Sequence, residues 1–169
     1  ESRVAMAGGV ARNGDSTVVN IDTLTLRVDS ASARPRGFTL VAPAMLRFMP
    51  GANGTLGSLD SLVLQHTDTG RIAMRGGLAA GGVVTGRLDA DRVALADIGR
   101  LLRTSGLTRG TASATLALRG TREQPRIDGT VDLRDAVAGR VRFGDLFATA
   151  HYDSLRLNVE GALRLGGKP

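Results

Sequence analysis

Two histidines, His66 and His151, are the only imidazoles in the chain, and 85 residues separate them. A metal site of two His and one Asp would require their strands to meet. Each stands alone in a strand-like stretch, which reads as a strand residue near the edge of a face. Nine aspartates recur through the apolar runs: Asp60, Asp89, Asp91, Asp97, Asp128, Asp132, Asp135, Asp145 and Asp153. Asp89 with Asp91, and Asp128 with Asp132, are same-face pairs of the kind a glycosidase uses. No aromatic platform accompanies them to stack a sugar, so they read as solvated-face and turn residues. The glycine pairs Gly8-Gly9, Gly76-Gly77 and Gly81-Gly82 precede no Lys-Ser/Thr and no dinucleotide-type helix, so they read as turns rather than phosphate cradles. Arg140, Arg142, Arg156 and Arg164 would reach anionic headgroups if they line a rim. Otherwise they form a charged outer face that blunts aggregation. There is no cysteine, which excludes thiolate zinc sites, disulfides and cysteine nucleophiles. The expectation is a chain without enzymatic activity, with no catalytic residue, metal site or cofactor.

Composition bounds the elements that would hold any site. The chain has 169 residues, 42% of them hydrophobic, with 23 glycines and only 3% aromatics. Small side chains and few rings build a thin core. The net charge is +6, carried by Arg and a single Lys, Lys168. The basic residues are spread among apolar ones instead of gathered in a patch, which argues against nucleic acid. No stretch approaches 18 apolar residues, and none resembles a signal peptide.

Hydrophobic periodicity is two nearly everywhere. Leu24, Leu26 and Val28 share one face. So do Ala112, Ala114, Leu116 and Leu118, with Thr111, Ser113, Thr115 and Arg119 opposite. Ile127, Gly129, Val131 and Leu133 alternate with Asp128, Thr130, Asp132 and Arg134. Leu155, Leu157, Val159, Leu163 and Leu165 alternate with Arg156, Asn158, Glu160 and Arg164. Shorter sets are Leu62 with Leu64, Ile72 with Met74, Val84-Gly86-Leu88 and Phe38-Leu40-Ala42. Strict alternation marks strands with one greasy and one wet side. Asp68-Thr69-Gly70 and residues 50–54 read as tight turns, so sequential strands should be antiparallel neighbours. Residues 96–104 break the pattern. Ile98, Leu101 and Leu102 fall at helical spacing, with Asp97 as N-cap and Gly106 as stop. So short a helix must pack on the sheet or plug its end.

Two stretches resemble a known family. Gly120-Thr121-Arg122-Glu123-Gln124-Pro125-Arg126-Ile127-Asp128-Gly129-Thr130-Val131-Asp132-Leu133 is similar to the G-T-x-x-x-P-x-x-x-G-x-V-x-L signature of the TamB family, large AsmA-like envelope proteins of diderm bacteria. The run from Asp60 to Leu64 followed by Thr69 to Gly76 resembles that family's strand–turn–strand unit. Leu88 to Ile98 leads into the short helix, and Gly110 to Leu116 precedes the proline motif, in the family's order. The resemblance spans about residues 36–166.

The resemblance implies an all-β fold: an elongated, folded-over antiparallel β-sheet, the β-taco, with an apolar groove and one short helix. Residues 1–169 would be one segment of such a domain, an internal fragment of a periplasmic parent anchored in the inner membrane by a segment not present here. The implied role is phospholipid transport in support of outer-membrane biogenesis. Partners would be acyl chains and, through the parent chain, an outer-membrane protein of the TamA/BamA type. A scaffold role in outer-membrane protein assembly is the alternative. The family carries over no catalytic residues. The groove set is the inward set from alternation: Leu62, Leu64, Ile72, Met74, Leu116, Leu118, Val131, Leu133, Leu155, Leu157 and Val159.

Overall fold

The computed structural model describes residues 2–28, 36–51, 54–101, 106–153 and 156–164. It is an elongated antiparallel sheet with a single short helix. The strands are β1 (Ser2–Asn13), β2 (Ser16–Val28), β3 (Arg36–Leu40), β4 (Ala44–Gly51), β5 (Gly54–His66), β6 (Arg71–Leu78), β7 (Val84–Ala94), β8 (Leu107–Gly120), β9 (Pro125–Ala138), β10 (Val141–Asp153) and β11 (Arg156–Arg164). The helix α1 (Leu95–Leu101) joins β7 to β8. Order across the sheet follows the sequence, as short polar connections require.

β3 and β4 share one place. Both pair with β2 on one side and β5 on the other, at opposite ends. They are one strand interrupted at Val41-Ala42-Pro43, where Pro43 has no N–H to give the ladder. Val41 still donates its N–H to the Val63 carbonyl at 2.9 Å, which holds the break against the sheet.

Two of the glycine pairs are not turns. Gly8-Gly9 lies inside β1, and Gly76-Gly77 inside β6. Gly8 and Gly76 serve close approach. A Cβ on Gly8 would stand 2.0 Å from the Asn20 carbonyl oxygen, and one on Gly76 would stand 2.8 Å from that of Thr85. Gly81-Gly82 does turn the chain, in a single 3-10 turn at Ala80–Gly82 with φ of 73° and 75°. Gly8→Ala is therefore expected to cost about 1–3 kcal/mol of stability through backbone displacement, read as a lowered urea midpoint.

The buried core is small and lies at one end of the sheet. Ile21, Phe38, Ala44, Leu62, Leu64 and Val93 form one cluster; Leu95, Ala112 and Ala136 form another. Ile98 of α1 packs against both. The helix thus sits between the β2–β5 side and the β8–β9 side of the apolar face, and the sheet curls around it. α1 starts at Leu95, one residue before the position read from sequence, and residues 102–104 lie outside the described set. Asp97 is not its N-cap. It is the third helical residue, with its side chain turned inward and fully buried.

Candidate functional site

Directly paired residues in a ladder project to the same side of a sheet, so the register alone defines the faces. Leu64 pairs with Ile72, Ile72 with Ala90, Ala90 with Ala114, Ala114 with Val131, and Val131 with Ala148. The next row runs Leu62, Met74, Leu88, Leu116, Gly129, Ala150 and Val159. A third runs Leu59, Gly76, Gly86, Leu118, Ile127, Tyr152 and Leu157. Leu133 joins the same face through Ala112 and Leu146. Ten of the eleven residues assigned to the groove by alternation share this face; Leu155 lies outside the described residues.

Their environments differ along it. Leu62 and Leu64 are buried in the closed, helix-covered end. Ile72 and Met74 are half-buried and pack against that core. Leu116, Leu118, Val131 and Leu133 are half-buried farther across. Leu157 and Val159, on the last strand, are 65% and 59% exposed. Between these extremes runs an open apolar trough of about 370 Å³, lined by Leu59, Met74, Leu88, Leu116, Leu118 and Ile127 over the bare backbone of Gly76 and Gly86. Large side chains flank glycines here because a Leu on every strand would fill the hollow.

The opposite face is polar. One hollow on it, about 570 Å³, is bordered by Arg71, Asp89, Asp91, Ser113, Thr115 and Asp132. Arg87 grips Asp89 with Nε at 2.8 Å and Nη2 at 2.9 Å. This bidentate guanidinium holds the Asp89 carboxyl below its usual range and raises Arg87 in turn. The paired carboxylates are thus engaged by cations and hydroxyls: Thr115 Oγ1 donates to Asp89 Oδ1 at 3.3 Å, and Arg92 Nε donates to Asp91 at 3.2 Å. Among the described residues no three His, Cys, Asp or Glu stand close enough to hold a metal ion.

The histidines are on opposite faces. His151 contacts Asp128 Oδ1 through Nδ1 at 2.5 Å on the polar side. His66 is not an edge residue. It is buried on the apolar face, edge-on to Phe38 with ring centroids 4.9 Å apart. Its Nδ1 accepts the backbone N–H groups of Asp68 and Thr69 at 3.1 and 3.4 Å. That places its proton on Nε2, which stands 3.0 Å from Asp97 Oδ2. The two atoms are near but poorly aligned, and neither has another hydrogen-bond partner. Arg100 Nη1 donates to the other oxygen of Asp97 at 3.0 Å. The backbone thus holds His66 through Nδ1, while Nε2 faces Asp97 without a formed hydrogen bond. Extending the Leu62-Leu64 alternation by one step places it inward; no sequence signal pointed to Asp97 as its partner.

Arg140, Arg142, Arg156 and Arg164 are all exposed. Arg156→Ala and Arg164→Ala are each expected to change stability by less than about 0.5 kcal/mol in urea unfolding; a loss above about 2 kcal/mol for either would contradict this placement.

No family model, curated protein or solved structure matches this chain. The functional reading rests on the two-faced geometry and on the motif resemblance given above.

Proposed function

We propose that this chain is a non-enzymatic, TamB-like segment of a periplasmic conduit that carries phospholipid acyl chains toward the outer membrane. The observation that carries the reading is the single continuous apolar face, covered at one end and open over the rest. A soluble sheet normally buries such a face under a second layer, and large exposed apolar patches mark sites of interaction. Here Leu157, Val159 and Leu163 at one edge, and Val4, Met6 and Val10 at the other, are all half-exposed or more.

The chemistry of the face fits acyl chains. It offers Leu, Val, Ile, Met and Ala with almost no hydrogen-bonding group, so it favours hydrocarbon without selecting among hydrocarbons. Each methylene withdrawn from water contributes about 0.8 kcal/mol. Sliding along a row exchanges one such contact for another, so the chain is held while remaining mobile. The polar back, with its Arg–Asp pairs, faces water. In this reading the parent protein supplies the inner-membrane anchor and the contact with a TamA/BamA-type outer-membrane partner.

A second reading is a scaffold for outer-membrane protein strands. It is favoured by β1 and β11, which among the described residues pair on one side only. Such edges accept an added strand.

Organic extraction of the chain purified from a diderm host, followed by mass spectrometry, separates the two. The conduit reading expects co-purified phospholipid. Lipid-free protein that crosslinks to peptide along the β1 or β11 edge would replace it with the scaffold reading.

A further inference from the structure

Helix α1 is held by an arrangement that spends stability on position. Asp97 is fully buried, with Arg100 on one oxygen and a misaligned His66 Nε2 on the other. A buried carboxylate satisfied this incompletely adds little to stability, because desolvation offsets its attractions. The entry to the helix is strained as well. Arg92, at the bulge between Ala90 and Val93, sits at φ 47°, a conformation unfavourable for a residue with a Cβ. Its N–H is held by Ser113 Oγ at 3.0 Å. Seven residues cannot maintain a helix by themselves. What keeps α1 docked is the packing of Leu95 and Ile98 on the two clusters beneath. The sheet below does not need the helix for its ladders, since β7 and β8 pair directly from Ala94–Thr111 to Gly86–Leu118.

We propose that α1 is a lid over the closed end of the apolar face, latched by His66 and Asp97, and that it lifts as a unit while the sheet stays paired. Lifting pivots at the Arg92 bulge and uncovers the cluster of Phe38, Leu62, Leu64 and Val93 against which Ile98 packs, extending the trough into what is now core. The misaligned pair is the latch because losing one partner leaves the buried charge of the other less compensated and loosens the helix, whereas apolar groups in both places would hold it more firmly. The lid rests on the conduit reading only for what enters beneath it.

Hydrogen–deuterium exchange of the 169-residue chain tests this. The amides of residues 99–101 are expected to exchange at least tenfold faster than the ladder amides of β5 and β8. His66→Ala, which leaves Asp97 without its second neighbour, should accelerate α1 a further tenfold and leave the ladders unchanged. Replacing the pair with apolar groups, His66→Phe with Asp97→Leu, should slow α1 at least tenfold toward the ladder rate. Exchange of α1 at the ladder rate in the unaltered chain would overturn the lid, as would variants that shift helix and sheet by equal factors. Bound phospholipid is measured on the same samples. Lipid present with α1 exchanging at the ladder rate removes the lid and keeps the conduit; a lifting α1 on a chain that binds no lipid does the reverse.

Discussion

Phe38→Ala is expected to destabilise the chain by about 3–5 kcal/mol. Among the described residues Phe38 is the largest fully buried side chain, with no exposed surface at all. It packs within the Ile21, Leu62, Leu64 and Val93 cluster and lies edge-on to His66. The other three Phe, Phe48, Phe143 and Phe147, are all exposed, so no second benzyl ring lies in the cluster to fill the space. Short strands on a sheet edge can adjust; β3 is paired on both sides and cannot. The cavity would open directly beside the His66–Asp97 contact, adding the cost of a looser polar pair. Urea unfolding followed by far-ultraviolet circular dichroism measures the effect. A loss below about 1 kcal/mol would show that the closed end is not the stabilising part of the fold.

The second large effect is a contrast between two leucines of the same face. Leu64→Asp is expected to cost more than about 4 kcal/mol, while Leu157→Asp is expected to cost less than about 1 kcal/mol. Leu64 is 3% exposed, in the cluster beneath the lid. A carboxylate there is taken out of water into a cluster of apolar side chains, two residues from His66 on the same face. Leu157 is 65% exposed on β11, where a new charge remains hydrated. The same substitution should nevertheless weaken binding of a fluorescent phospholipid, because it places a charge in the path of a hydrocarbon chain. Equal destabilisation at both sites would mean that the far end of the face is as dry as the near end. Unchanged lipid binding by Leu157→Asp would place the lipid path elsewhere.

The alternating runs of β2, β5, β8, β9 and β11 were legible in the sequence because period-two patterning has a direct cause. One side of each strand meets hydrocarbon and the other meets water. Assigning Leu116 or Val131 to the apolar side needed nothing more. The glycines were less legible. Gly8-Gly9 and Gly76-Gly77 have the composition of turns, yet they lie in strands, where a facing carbonyl leaves no room for a Cβ at Gly8 or Gly76. That constraint comes from the partner strand and leaves no mark in the local sequence. The helix was visible from Ile98 and its spacing, but the role of Asp97 was not. An Asp near a helix start is ordinarily a cap, and only the curl of the sheet brings His66 of β5 under it. The break between β3 and β4 is similar: the Phe38-Leu40-Ala42 alternation runs past the end of β3 at Leu40, and the register that β3 and β4 share with β2 and β5 emerges only from pairing.

In the proposed conduit one face of this sheet holds acyl chains and the other does not. A photoreactive benzoyl-phenylalanine placed at Leu118, and separately at Ala117, tests it most directly. These positions are adjacent in β8 and project to opposite faces, with Leu118 paired to Ile127 and Ala117 to Asp128. After irradiation in the bacterial envelope, intact-mass measurement should find phospholipid adducts on the chain labelled at Leu118 and none on the chain labelled at Ala117. Adducts at equal yield from both faces, or none from Leu118, would contradict the account.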